Sequence, residues 1–470
     1  MLPLLVATFA DSYWDRYSMI LASSMLYAAG LLAVTSTALK WPWLPTSKIN
    51  SVTSLSCSLY MISLGQGGYN PSLQAFGADQ LEEEDELPLT KNNEKSSDKK
   101  SLFFQWWYFG ICCGSLIGVS VMSYIQDNFG WGLGFAIPTL TMVASIVMFL
   151  LGSRFYIQSH GKIVDRKSFG EIFQSIKAFV SKMIGRKGVS SHEYTVVELE
   201  LQEKESWNQE SELDLSSFEQ INLDECISPL QAVKAVLRLM PIWLTLLLFA
   251  VIFQQPATFF TKQGMTMKRN IGNFKIPPAA LQSAITISII VLMPWYNKLF
   301  IPFVRIFTRK EEGITVTQRM GIGMVLSVIA MAIAALTERK RLEISRNMEV
   351  VSIEVPFSIF WLLPQYILLG FSDIFTVIGM QEFFYSEVPM RMKTMGIALY
   401  TSVFGVGSYL SVILISLIEW LTSSGGENDS WFSDDMAKAR LDNYYWFLAF
   451  SSSISFFAFV IFCKFLKNRT

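Results

Sequence analysis

Ten separate runs of this chain, each longer than 20 residues and mostly apolar, limit what it can fold into more than any other feature. They fall at about 18 to 38, 51 to 76, 102 to 125, 132 to 156, 231 to 260, 276 to 300, 316 to 338, 356 to 386, 394 to 420 and 442 to 463. A helix of about 20 residues crosses the hydrocarbon core of a bilayer and satisfies its own backbone hydrogen bonds where no water can. The runs predict an all-α, polytopic membrane protein with ten complete transmembrane helices, several long enough to tilt or to project beyond the lipid. Composition agrees: 16% of residues are charged, against roughly 25% in an ordinary soluble domain. With 38 Lys+Arg against 39 Asp+Glu, no basic field exists to draw nucleic acid, and the expected partner is the lipid bilayer.

Several chemistries are excluded early. Cys57, Cys112, Cys113, Cys226 and Cys463 are scattered and odd in number, giving neither a disulfide framework nor a metal site. The two histidines, His160 and His192, lie in the hydrophilic middle of the chain, so no span carries an imidazole for proton relay. The spans offer no Ser/His/Asp set either, so no enzyme and no cofactor are expected.

Basic residues orient the spans. The segments 11 to 17, 77 to 101, 157 to 230, 301 to 315, 387 to 393 and 464 to 470 hold 21 Lys+Arg, and the alternate loops hold 12. The first set is assigned to the cytoplasm, which leaves the sequon Asn428-Asp429-Ser430 on the opposite side. The ten apolar residues MLPLLVATFA at the start would span only about 15 Å as a helix. They are expected to be the second half of a helix whose first half lies outside the sequence. The domain reading is then 1–156 as an incomplete N-terminal bundle, a stub plus four spans; 157–230 as a cytoplasmic central loop; and 231–470 as a six-helix bundle. Within the loop, Phe169, Ile172, Phe173, Ile176, Phe179, Val180 and Met183 recur at helical spacing and predict an amphipathic helix.

Four blocks carry a resemblance. They are Gly65-Gln66-Gly67-Gly68-Tyr69-Asn70-Pro71 running on to Ala78-Asp79-Gln80; Ala10-Asp11-Ser12-Tyr13 with Arg16-Tyr17; Phe103-Phe104-Gln105-Trp106-Trp107-Tyr108-Phe109-Gly110; and Gln381-Glu382-Phe383-Phe384-Tyr385 with Val388-Pro389 and Gly396 to Tyr400. Together they resemble the plant nitrate and peptide transporter family, within the major facilitator superfamily. The resemblance covers essentially the whole chain. It implies a six-plus-six helical fold, alternating access around a midplane site, and a small-molecule substrate such as nitrate, a peptide or a related metabolite. It also implies symport with protons in a plasma or vacuolar membrane. An uncoupled facilitator or efflux carrier is the alternative on the same fold. A transport-inactive shortened isoform, acting as an interaction partner, is the alternative of another class.

Ionisable groups inside a membrane are costly and therefore functional candidates. Glu382, toward the cytoplasmic end of the family's tenth helix, is the first choice as a cavity carboxylate. Asp373 is nine residues earlier, about half a turn out of phase, and is assigned instead to packing or a gate pair. Gln254, Gln255 and Gln282 are expected to line the path, and the resemblance adds Asn70 and Tyr400. Asp11 and Arg16 match the acid and base of the superfamily's gating motif, although Asp15 stands where that motif has glycine. Asn70 also replaces a lysine of many members, Phe253 a histidine used by one nitrate transporter, and Met19 a phosphorylatable threonine. Arg319 and Lys298 are assigned to snorkelling at span ends, and Gly110, Gly114 and Gly118 to a smooth face against another backbone.

Overall fold

The computed structural model describes residues 16–38, 48–82, 93–154, 156, 229–271, 274–295, 314–347, 355–389, 392–423, 431–433, 436 and 439–467. Helices dominate: α1 Arg16–Ala38, α2 Lys48–Glu82, α3 Asn93–Phe129, α4 Trp131–Leu151, α5 Pro229–Phe253, α6 Phe259–Met265, α7 Ser283–Trp295, α8 Val316–Arg346, α9 Leu363–Ser386, α10 Lys393–Thr422 and α11 Leu441–Lys467. Among the described residues, eight helices are long and apolar enough to cross a membrane. The spans expected at 51 to 76 and 276 to 300 appear as α2, which is long but richer in Ser, Gln and Asn, and as the 13-residue α7. The described residues up to 156 and from 239 onward belong to one compact unit. The amphipathic helix, the N-terminal stub and the sequon lie outside the described residues.

The glycine-rich block acts through close helix approach. A Cβ on Gly65 would stand 2.6 Å from the Tyr27 backbone nitrogen and 2.8 Å from the Ser23 oxygen, and one on Gly30 would meet Ile62 Cγ1 at 2.8 Å. Small residues let α1 and α2 pack backbone to backbone, the usual route to helix association where lipid removes the hydrophobic drive. Thr35 Oγ1 and Thr139 Oγ1, 2.9 Å apart, join α1 to α4. Gly110, Gly114 and Gly118 behave otherwise, because an added Cβ at any of them meets nothing within 4 Å. The smooth face exists, but no described backbone covers it. Gly65→Ala is accordingly expected to destabilise the protein by about 1–3 kcal/mol through overpacking, with Gly114→Ala near neutral. Thermal unfolding of both variants in detergent checks this, and equal melting temperatures would refute it.

The C-terminal helices centre on α9. Of its most apolar 18-residue window 72% is buried, against 17% for the corresponding windows of α3 and α4. Gly323 of α8 lets α9 approach, and the Ser372 hydroxyl donates to the Gly323 carbonyl at 2.6 Å. Trp243 Nε1 donates to Ser402 Oγ at 2.9 Å, joining α5 to α10, and Ser455 Oγ donates to the Thr245 carbonyl at 2.6 Å, joining α11 to α5.

Two expected spans are interrupted. The run 231 to 260 breaks after Phe253 into a short 3₁₀ turn, Gln255–Ala257, before α6. Pro256 cannot donate a backbone hydrogen bond to the carbonyl four residues back, and at the break the Val251 carbonyl accepts from the Gln254 N–H at 3.2 Å and from Gln255 Nε2 at 3.0 Å. The run beginning at 356 opens as a strand, β4 Val355–Ser358, paired in parallel with β1 Met267–Lys268. A second small pairing, antiparallel, joins β2 Asn270–Ile271 to β3 Phe274–Lys275.

Candidate functional site

One face of α3 meets the C-terminal helices. Ser101, Phe104, Tyr108 and Cys112 follow at spacings of three and four, so they share a helical face. Each of the first three touches a different C-terminal group. Arg319 Nη1 of α8 donates to Ser101 Oγ at 3.0 Å. Phe104 meets the Tyr385 ring edge-on, with centroids 5.5 Å apart. Tyr108 Oη donates to Asp373 Oδ2. The block that looked in sequence like a helix signature therefore supplies part of the contact between the N-terminal and C-terminal helices.

Asp373 is the most unusual group at that contact. It is 1% exposed, and its second oxygen, Oδ1, has no partner among the described residues. Among the described residues it forms no ion pair; the pairs are Arg16–Asp79, Arg319–Glu382, Arg341–Glu338 and Arg440–Asp442. Cys112 and Tyr400 lie within electrostatic reach of it. Gln381 Nε2 donates to Tyr400 Oη at 3.0 Å, and Gln381 Oε1 is buried without a donor among the described residues. Asp373 Oδ1 is thus an open, buried acceptor, which suits a proton, a positive pole or a hydrogen-bond donor.

The residues singled out in sequence are spread more widely. Glu382 is buried but pairs with Arg319. Arg319 is itself 6% exposed, so it does not snorkel: the nearby carboxylate offers a stronger partner than the headgroup region. Gln255 reaches Tyr444 Oη at 3.5 Å, Gln254 is half-buried at the helix break, and Gln282 donates to Thr261 Oγ1 at 3.2 Å. Asn70 is exposed on α2. Arg16 pairs with Asp79, while Asp11 lies outside the described residues. Only Tyr400 of that set joins Asp373. The signal for Asp373 was its charge inside a span; the half-turn offset from Glu382 is real and reflects two different partners.

Known proteins show the family. The sequence profile PTR2, described as the POT family, matches residues 17–432. The chain belongs to the POT family. Protein NRT1/PTR FAMILY 5.9 of Arabidopsis thaliana is 51% identical over 491 residues, covering 100% of this chain and 87% of that protein. NRT1/PTR FAMILY 5.10 of the same plant is 40% identical, covering 99% and 83%. Among solved structures, the POT family transporter PepTSo superposes with a TM-score of 0.63 at 21% identity, covering 100% of this chain and 87% of that one. An auto-inhibited POT family peptide transporter gives 0.61 at 20% identity, covering 100% and 86%. This POT family chain is an integral multi-pass membrane protein and a secondary transporter of small solutes, not an enzyme.

Proposed function

We propose that this POT family chain couples solute movement to protons through Asp373, in a plasma or vacuolar membrane, and that its solute lies between the Tyr108–Asp373 and Gln381–Tyr400 pairs. One observation carries the proposal: a carboxylate buried where the two sets of helices meet, held by a hydroxyl from the other set and by no described cation. An uncompensated buried carboxylate costs several kcal/mol, and a proton or the positive pole of a solute removes that cost. Either event changes a contact that joins the two sets of helices, which is what alternating access requires. A bare anion such as nitrate is repelled by ionised Asp373 and is accommodated only with the carboxyl protonated. Gln254 and Gln255 at the break before α6 add polar groups to the same path, and Gln282 a further one.

The test is uptake into proteoliposomes of nitrate, short peptides and amine-bearing metabolites, with and without an inward proton gradient. Collapsing the gradient is expected to lower accumulation of the transported solute severalfold. Accumulation that persists unchanged would favour the uncoupled facilitator.

A further inference from the structure

The last turn of α9 carries two side chains that the coupling site does not use. Glu382 and Tyr385 are three residues apart and share a face. Each opens a polar chain that ends on the N-terminal helices, at the end of the spans assigned to the cytoplasm. In the first chain Glu382 holds Arg319 Nη2, and Arg319 Nη1 reaches Ser101 Oγ at 3.0 Å. In the second, Tyr385 Oη donates to Asp79 Oδ1 at 2.8 Å while Asp79 Oδ2 holds Arg16. Lys393, at the start of α10, donates to the Tyr385 carbonyl at 2.9 Å and lies 4.4 Å from the centre of its ring, fixing the base of the second chain.

The Arg319–Glu382 pair lies wholly within the C-terminal helices, and its side chains are only 7% and 6% exposed. Burying two charges for stability alone is a poor use of them, because the lost hydration offsets most of their attraction. The planar guanidinium has a further property. Its fork can accept orientation from one partner while presenting a second N–H in a fixed direction, which the single flexible ammonium of lysine cannot do equally well. Here the second N–H points across the contact to Ser101, the only group in the first chain that belongs to the N-terminal helices.

We propose that Arg319 is a positioning residue of the transport cycle: oriented by Glu382, it latches Ser101 and sets, together with the Tyr385–Asp79 arm, how readily the cytoplasmic end opens. Glu382 acts through Arg319 and not as the proton carrier. The proposal stands apart from coupling at Asp373, since the latch contains neither Asp373 nor Tyr108.

The experiment uses the full chain in lipid nanodiscs, its native cysteines replaced and spin labels placed at Leu102→Cys on α3 and Thr317→Cys on α8, with the distance distribution read by pulsed electron resonance. The parent is expected to populate a short distance. Arg319→Gln is expected to move the ratio of short to long distances about tenfold toward long, as for the loss of one charge-assisted hydrogen bond. Glu382→Gln should move it in the same direction, and Arg319→Lys by an intermediate amount. A purely structural ion pair would lower the melting temperature in these variants and leave the distances where they are. Ser101→Ala leaves the Arg319–Glu382 pair intact and removes, besides the Arg319 contact, only a local bond from Gln105 Nε2 at 3.3 Å within α3. Gln105→Ala, which removes that local bond alone and should leave the distances unchanged, controls for it, so the matter is decided even if Arg319→Gln does not fold. Unchanged distances in a folded Ser101→Ala would overturn the proposal, and a shift toward long supports it.

Discussion

Asp373→Asn is expected to abolish proton-driven accumulation while the protein still folds and still exchanges solute across the membrane. The amide has the shape of the carboxylate, and its oxygen can still accept from Tyr108, so the contact between α3 and α9 survives. What it loses is charge and the capacity to take and release a proton. Gradient-driven uptake should fall to the level seen with the gradient collapsed, whereas counterflow between equal solute pools should continue. Tyr108→Phe is the complementary variant. It leaves the Asp373 carboxylate buried without its donor, a loss of about 1.5–3 kcal/mol for a hydrogen bond to a charged group. That corresponds to roughly tenfold or more in the balance between states that contain the contact and states that lack it. Uptake measured side by side in proteoliposomes checks both, and Asp373→Asn with its full pH-dependent accumulation would falsify the coupling role.

The largest expected effect on stability lies at the opposite end of the C-terminal helices. Arg341 is 1% exposed and Glu338 is fully buried. Arg341 Nε and Nη2 donate to the two Glu338 oxygens at 2.8 and 2.6 Å, Nη2 also donates to the Met436 carbonyl at 2.8 Å, and Nη1 donates to Thr266 Oγ1 at 3.3 Å. One guanidinium thus ties the end of α8 to the segment after α6 and to the residues before α11. Arg341→Leu would leave a buried carboxylate without its cation, a situation that typically costs about 3–5 kcal/mol. Replacing both partners, Arg341→Leu with Glu338→Met, is expected to cost much less, because no orphaned charge then remains. Thermal unfolding in detergent distinguishes the two. A double variant no more stable than the single one would show that the lost contacts to Thr266 and Met436, and not the stranded charge, dominate.

Particular elements mark where sequence reasoning reached its limit. Hydrophobic runs located the long described helices, though ends such as those of α3, α7 and α8 differ by five to nine residues and α6 was not foreseen as a separate helix; length and hydropathy are set by the bilayer and are properties of one segment at a time. The break at Pro256 was missed because an apolar run does not reveal the local hydrogen bonding within it. Helical phase correctly separated Asp373 from Glu382, yet it could not say which neighbour each would meet. Arg319 has a stem long enough to reach either the headgroups or a carboxylate on the next helix, so its position near a span end did not decide between them. The glycine repeat of α3 shows the same limit. Periodicity gathers Gly110, Gly114 and Gly118 on one face but is silent on what lies opposite.

The sequence by itself determined that this chain is a helical, multi-pass membrane protein of a transporter family, since those properties follow from local hydropathy and from motifs read along the chain. Only the tertiary structure decided which of its buried charges are neutralised within one set of helices, as in Arg341–Glu338, and which reach across the contact between the two sets, as with Tyr108–Asp373 and the Arg319–Ser101 arm. The physical reason is that a charge in a low-dielectric interior is governed by partners within a few ångströms. Those partners, 63 residues apart for Arg319 and Glu382 and 265 for Tyr108 and Asp373, are brought together only by helix packing.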